Sequence, residues 1–567
     1  MTFRAPVDEF AFLFSRVIGL DDLTRHDAFS EISEDLVSAI LTECGRLCDD
    51  KLAPLNRVGD EHPATLENGI VRTPPGFADG YQAIADGGWT GVTGDPEYGG
   101  MGLPTSVSTA VNDMMAGACL SLQLNPMMTQ GQIEALEHHA SDAIKSVYLP
   151  KLIEGTWHGT MNLTEPQAGS DVGALRTKAE PKQDGSYSIT GQKIFITWAD
   201  NDFTENTCHL VLARLPDGAP GTKGISLFIV PKLIPDADGT PGARNSLRVV
   251  SLEHKLGIHG SPTAVMEFDG AQGWLIGEEH GGMAAMFTMM NNARLGVGAQ
   301  GIGVAEAAFQ HALAYANDRK QGRVGGTGTI VEHADVKRML ATMKADIFAA
   351  RSVALACAHS LDMARATGSS EWNARAAFLT PIAKAFGTDT GIHVSEIGIQ
   401  VHGGMGYIEE TGAAQFYRDA RVTAIYEGTN GIQALDLVGR KMSDGGAAAL
   451  ALLDDLAQKI EVGKETLPEL ATAIAAAIAE LRDAVQSLAT SDMKRDRLGV
   501  AYPFLTAFAR VLGGYSHFAA ALSGDASRIK LARFYVQRLL PEYASQLAHV
   551  RAGGSDLEDL TADDLAA

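Results

Sequence analysis

The chain has 567 residues and no run of 18 or more apolar ones, so no segment is long enough to span a bilayer as a helix. Its five cysteines include no Cys-x-x-Cys pair, which argues against a disulfide framework and against a zinc site. Cys44 and Cys48 can share a helix face, and a buried structural role is expected for them. Basic residues are too few to balance acidic ones: 46 Lys and Arg stand against 69 Asp and Glu, for a formal charge of −23. That charge repels nucleic acid and anionic lipid. Residues Met1 to Phe10 are acidic and broken by Pro6, unlike a secretory signal or an Arg-rich transit peptide, and a cytoplasmic protein is expected. No internal repeat is visible. No GxGxxG follows a strand-like run; Gly296-Val297-Gly298 and Gly301-Ile302-Gly303 lie inside a helical Ala/Gly stretch and read as close helix packing.

This length exceeds what one hydrophobic core holds, and three or more domains are expected. The pattern is α+β, mainly α. Residues 1–34 form an arm carrying Phe10, Phe12, Leu13, Phe14, Val17 and Ile18, too short for a domain and expected to pack on another part. Residues 35–155 read as a helical domain. Within it Glu34 to Cys48 repeats apolar positions at helical spacing (Leu36, Ile40, Leu41, Leu47), and Thr105 to Leu124 reads as a buried helix. Over 156–279 Pro and Gly become frequent and β-branched runs appear, as in Ile225 to Val230, which predicts a central antiparallel β-domain. Residues 280–442 return to long helices, including Leu295 to Gln321 and His333 to Thr367. Residues 443–567 open on a linker, Ser443 to Gly446. An Ala/Leu-rich helical extension follows, interrupted at Pro468 and Pro541, and then an acidic tail from Ser555 that reads as mobile.

Chemistry concentrates in three places. In Ala424-Ile425-Tyr426-Glu427-Gly428-Thr429-Asn430, one carboxylate sits between an apolar run and a glycine. Desolvation there should raise its pKa toward the range of a base at neutral pH, and Gly428 lets a ligand approach the backbone. Read alone, Glu427 is equally a helix-capping residue near a turn. Leu163-Thr164-Glu165-Pro166-Gln167-Ala168-Gly169-Ser170-Asp171-Val172 is a loop that offers N–H groups and hydroxyls to a polar ligand. Tyr187 to Thr197 alternates polar and apolar residues around Gly191, as a hairpin does.

Together with Pro96-Glu97-Tyr98-Gly99-Gly100-Met101-Gly102-Leu103-Pro104, Asn292-Ala293-Arg294, Asp318-Arg319-Lys320 and Gln400-Val401-His402-Gly403-Gly404-Met405-Gly406-Tyr407, these segments closely resemble the acyl-CoA dehydrogenase family over about residues 35–440. The resemblance implies an α–β–α order and FAD-dependent dehydrogenation of an acyl-CoA. That chemistry needs a base for the α-proton, donors for the thioester oxygen and a hydride acceptor, which no side chain can be.

By this resemblance Glu427 is the catalytic base. Thr164, Gly169, Ser170, Phe195, Thr197, Arg319, Gln400, Gly403, Gly404 and Thr429 contact FAD, with Arg319 reaching the FAD of a neighbouring subunit. Ser170, Asn291, Arg294, Glu427 and Gly428 contact substrate. Phe195 stands where many members carry Trp, Asn291 where an acidic residue is commoner, and Gly322 where an aromatic residue is frequent. An electron-transferring flavoprotein as acceptor and a homodimer are also implied. The arm and the extension resemble a long bacterial subgroup acting on 3-methylmercaptopropionyl-CoA in dimethylsulfoniopropionate degradation, yielding methylthioacryloyl-CoA. A medium- or long-chain fatty acyl-CoA dehydrogenase is the alternative. A DNA-associated flavoprotein relative would need a basic extension, and residues 441–567 carry 13 Lys and Arg against 17 Asp and Glu.

Overall fold

The computed structural model describes residues 3–323, 325–490 and 494–567, the last from 497 for side chains. Its principal helices and strands are numbered here in chain order. The arm begins with α1 (Val7–Leu13) and leads to α2 (Glu34–Leu47). Ser33 caps α2, its hydroxyl accepting from Leu36 N, as an N-cap serine does. The buried face of α2 is Val37, Leu41 and Cys44, continuing to Cys48; Leu36 is exposed and Ile40 half-buried. Of the four apolar positions read from the spacing, Leu41 and Leu47 are buried, and the two cysteines are buried as expected. The Cys44 and Cys48 sulfurs lie 4.0 Å apart, and all five cysteines are free and buried.

α3 (Thr105–His139) extends well past Leu124 and is buried along nearly its whole length. The backbone leaves helical geometry at Cys119 (φ −159°).

The seven-stranded sheet comprises β1 (Trp157–Asn162), β2 (Lys178–Pro181), β3 (Tyr187–Thr197), β4 (Asn206–Arg214), β5 (Ile225–Pro231), β6 (Leu247–Leu252) and β7 (Thr263–Ile276). Its order is β6-β7-β3-β2-β4-β1, and β5 pairs with both β7 and β4, closing the middle into a ring. Pairing is antiparallel except where β1 and β2 meet β4. β4 and β5 are buried on both faces. Val211, Ala213, Phe228 and Val230 enter the sheet's own core, while Leu210, Leu212, Leu227 and Ile229 enter the core of the N-terminal helices. Two-sided burial of this kind is why these strands read as unbroken apolar runs. Tyr187–Thr197 is not a hairpin turning at Gly191. It is one strand, and the hairpin is made with β2 across residues 182–186. Gly191 sits mid-strand opposite Phe268, where a Cβ would fall 2.4 Å from Thr177 Oγ1.

The chain then forms α4 (Gly282–Asp318), α5 (Ala334–Thr367) and α6 (Ser370–His402), with α7 (Ala413–Arg421) and α8 (Asn430–Asp436) at the site end. The glycines of α4 pack as their spacing suggested. A Cβ on Gly301 would lie 2.4 Å from Gly387 O of α6, and one on Gly303 would lie 2.2 Å from Asp113 O of α3. Backbone meets backbone there, so α4 runs between both partners at a distance that side chains would forbid.

The extension is α9 (Ala447–Gly463), α10 (Pro468–Thr490), α11 (Ala501–Ala521), α12 (Ala526–Arg538) and α13 (Glu542–Ala552). Pro468 is the first residue of α10 and Pro541 caps α13. The extension shares one continuous hydrophobic core with α4–α6 rather than forming a core of its own. The acidic tail makes two short exposed helices, Ser555–Asp559 and Ala562–Ala566, the second closed by a Thr561–Asp564 capping box.

The arm is clamped where α1 meets α5. Arg351, buried on α5, donates to Glu9 of the arm (2.7 Å), Asp113 of α3 (2.9 and 3.0 Å) and Glu306 of α4 (3.0 Å). Lys344 and Arg528 also reach Glu9. Replacing Arg351 by Met would leave buried carboxylates short of counter-charge, at a cost of about 3–5 kcal/mol. Urea unfolding at pH 7 should register that loss, with the deficit shrinking toward pH 5 as Asp113, raised by burial to about 6, takes up its proton.

Candidate active site

Glu427 lies in the bend between α7 and α8. It and Gly428 both adopt left-handed backbone (φ 54° and 85°), a conformation costly for a glutamate. Gln433 holds the bend by donating to the carbonyls of Glu427 (3.2 Å) and Gly428 (3.3 Å). Thr429 caps α8, its Oγ1 accepting from Ile432 N at 3.2 Å. The Glu427 carboxyl is pushed up by burial to about 7, against the opposing pull of Arg294 and Lys384. Arg294, on α4, is 4% exposed and pairs with Asp436 (3.4 Å), which also accepts from Arg440. Lys384, on α6, is fully buried and donates to Asn430 Oδ1 (2.9 Å). A carboxylate between two cations and low-dielectric surroundings is poised near neutrality, as a base requires. Arg294 is thus buried beside the base, and Asn291 lies one turn earlier on the helix, exposed.

The second cluster hangs on Glu165. Its carboxylate is buried and accepts from Gln167 Nε2 (2.7 Å), Arg176 N (2.7 Å), Thr177 N (3.0 Å), Thr177 Oγ1 (2.6 Å) and Lys193 Nζ (2.8 Å). Although burial opposes ionisation, Lys193 and these donors hold Glu165 down at about 2. The whole 163–177 loop is thereby fixed, and Ile194 N donating to Thr164 O (2.9 Å) fastens it to β3. Thr164 thus meets the end of β3 that carries Phe195 and Thr197. Phe195 is 59% exposed with left-handed backbone (φ 59°), and Gly169 and Ser170 are exposed on the loop. An outward-facing aromatic beside a fixed loop of N–H groups and hydroxyls fits a planar ring with a phosphate tail.

Arg319, Gln400, Gly403 and Gly404 fall elsewhere. His402 stacks between Tyr315 and His311, with centroids 4.4 and 4.7 Å away, so the far ends of α4 and α6 lie side by side. By helical rise Arg319 is about 37 Å along the helix from Arg294, and Gln400 about 24 Å from Lys384. Around Gly403 and Gly404 a Cβ would meet nothing within 4 Å, and Tyr407 is 86% exposed. One chain therefore holds two separated surfaces, each bearing some of the candidate contacts.

The order of helical, β and helical layers matches known proteins over most of the chain. Residues 38–156, 160–271 and 280–442 match the N-terminal, middle and C-terminal domains of acyl-CoA dehydrogenase, and 450–561 match a domain described as acetyl-CoA dehydrogenase C-terminal like. The chain belongs to the acyl-CoA dehydrogenase family and is an oxidoreductase. It is 42% identical to 3-methylmercaptopropionyl-CoA dehydrogenase of Ruegeria pomeroyi, over 98% of this chain and 99% of that one. It is 36% identical to the broad-specificity linear acyl-CoA dehydrogenase FadE5 of Mycobacterium tuberculosis, over 79% of this chain and 77% of that one. The fold matches an acyl-CoA dehydrogenase complexed with FAD from Bacillus anthracis with a TM-score of 0.75 at 21% identity, covering 94% and 90% of the two chains.

Lys384, Gln433 and the Glu165–Lys193 pair escaped sequence reasoning as working residues. Glu165 and Lys193 stood inside the motifs, but 28 positions separate them and no local pattern pairs them. Lys384 did leave a signal, a lone cation in the apolar run Pro381-Ile382-Ala383-Lys384-Ala385-Phe386. Glu165→Gln should strand the Lys193 ammonium, which burial already lowers to about 8. Amide hydrogen exchange over 163–177 is expected to accelerate at least about tenfold, the equivalent of roughly 1.4 kcal/mol of lost local stability; unchanged exchange would show that the loop is held by other means.

Proposed function

We propose that the protein is an FAD-dependent dehydrogenase that converts an acyl-CoA thioester to its trans-2-enoyl-CoA, with Glu427 as the base. The observation that carries this reading is the Glu427 carboxyl, half-buried at the strained Glu427-Gly428 bend and raised to about 7. Glu427 takes the α-proton, and its own backbone N–H helps polarise the thioester oxygen. Once protonated the carboxyl is neutral and sits in its burial without penalty, while Arg294 and Lys384 keep its proton affinity from climbing further. Thr164, Gly169, Ser170, Phe195 and Thr197 would hold the flavin, and Thr429 would add a further contact. Bound FAD supplies the two-electron acceptor that no side chain offers. Ser170, Asn291 and Gly428 would face the substrate.

The distance of Arg319, Gln400, Gly403 and Gly404 from Glu427 supports a homodimer in which these residues complete the partner's FAD site. The extension buries its apolar face on its own bundle, a surface that shorter relatives could use to pair dimers; light scattering distinguishes dimer from tetramer. An electron-transferring flavoprotein as acceptor and a cytoplasmic setting accompany this reading. Five free, buried cysteines suit a reducing compartment, and among the described residues no helix is long and apolar enough to cross a membrane.

Glu427→Gln should lower flavin reduction by acyl-CoA at least about 100-fold while FAD remains bound. In the wild type the reduction rate should rise with pH through about 7. Stability runs the other way: a carboxyl whose folded pKa is raised stabilises the fold below its unfolded value and loses that contribution as pH rises to about 7. The glutamine variant should accordingly gain stability over wild type from about pH 5 upward, which thermal melts at pH 5 and pH 8 would reveal.

For the substrate we propose 3-methylmercaptopropionyl-CoA, giving methylthioacryloyl-CoA, the support being identity to the Ruegeria enzyme across both arm and extension. The likeness to FadE5 favours a second reading, a linear fatty acyl-CoA. Each methylene that fits should add roughly 0.8 kcal/mol of binding, so a deep pocket gives kcat/KM climbing toward palmitoyl-CoA. Efficiency is expected instead to peak near butyryl- and valeryl-CoA and then fall. A thioether sulfur is close in size to a methylene, so selectivity between the two should be modest.

A further inference from the structure

The C-terminal extension reaches the catalytic bend from behind. Tyr502, in the first turn of α11, bonds through its hydroxyl to Oδ2 of Asp389 on α6. Oδ1 of Asp389 accepts from Asn430 Nδ2 at 2.7 Å. Asn430 stands three residues after Glu427 and is the first residue of α8. Its Oδ1 accepts from Lys384 Nζ at 2.9 Å and from Thr388 Oγ1 at 3.2 Å. Four side chains thus run in contact from the extension to the one fully buried ammonium whose field acts on Glu427. Lys384 has an amide, not a carboxylate, as its hydrogen-bond partner. A buried cation needs compensating charge, and two carboxylates supply it at one remove: Asp389 across Asn430, and Glu427. Two anions sharing one cation are coupled, so whatever fixes Asp389 also bears on Glu427. The other charges facing this set are Arg421 toward Asp389, and Arg294 toward Glu427 and Lys384, with Asp436 and Arg440 behind Arg294.

We propose that Tyr502 is a positioning residue for the reaction: by fixing Asp389 it keeps the Asn430–Lys384 pair in place and so holds the cation that faces Glu427. The extension is in this way part of the active-site support and not solely a cover for the bundle. The proposal rests on Glu427 being the base. Without the Tyr502 hydroxyl, Asp389 binds a proton more readily and Lys384 loses counter-charge. Relieved of Asp389, the Lys384 ammonium is drawn to Glu427 and stabilises its ionised form more strongly.

The test uses the full-length, FAD-loaded protein and single-turnover flavin reduction by saturating butyryl-CoA across pH 5.5 to 9. Tyr502→Phe should move the acid limb down by about half a pH unit or more, a fraction of what a hydrogen bond to a charged group contributes, with KM and flavin content little changed. Asp389→Asn should move it the same way and further. In a Lys384→Met background the Tyr502 change should move nothing. An acid limb identical to wild type in both Tyr502→Phe and Asp389→Asn, with Glu427→Gln inactive, overturns the proposal while leaving the base in place. A lower melting temperature with an unmoved limb does the same, since it reveals structural support alone. A fully active Glu427→Gln removes the base assignment and this proposal with it.

Discussion

The guanidinium of Arg351 is the point on which the assembly of this chain depends. A buried arginine must find anions, and this one finds three, from the arm, from α3 and from α4. Lys344 and Arg528 complete Glu9 from α5 and α12, so three cations meet three carboxylates. Through Glu9 the cluster ties the arm to the bundle and, by Arg528, to a helix more than 500 positions away. Its worth is specificity of arrangement more than net energy, since desolvation consumes much of what buried ion pairs return. With these elements locked, α4 is held against α3 and α6 at glycine-to-backbone distance, and that contact sets where Arg294 and Lys384 point.

The candidate site follows from this rigidity. Arg294 and Lys384 sit on different helices, and each comes near Glu427 because α4 and α6 cannot slide apart. The base is tuned by opposing effects, burial pushing its proton affinity up and outweighing the two cations that pull it down. Such a balance is sensitive to small shifts in either helix. The flavin-side loop is built on another principle. Glu165 saturates its carboxylate with donors from its own loop and one lysine from β3, so polar contacts hold a segment that gives only Ala168 and Leu175 to the core beneath it.

Much of the fold was legible because burial writes periodicity. The long helices, the apolar runs of β4 and β5, and the glycine pairs of α4 were each read from local pattern. Where pattern misled, the reason is specific. Gly191 looked like a turn because glycine breaks strands, yet it is needed there for its lack of a Cβ beside Thr177. Leu36 looked buried because it is leucine, yet it faces solvent while Leu41 and Leu47 of the same pattern are buried.

By itself the sequence determined the α–β–α order, the place of Glu427 on a bend, and the segments that could carry a flavin and an acyl-CoA, because each of these is encoded within a few tens of residues. The tertiary structure decided what surrounds them. It put Lys384 and Arg294 around the base, buried Glu165 against Lys193, set Arg319 and Gln400 far from Glu427, and brought Tyr502 to Asp389 across 113 positions. Those are electrostatic and hydrogen-bonded contacts between distant segments, and no local periodicity records which charge will meet which once the chain has closed.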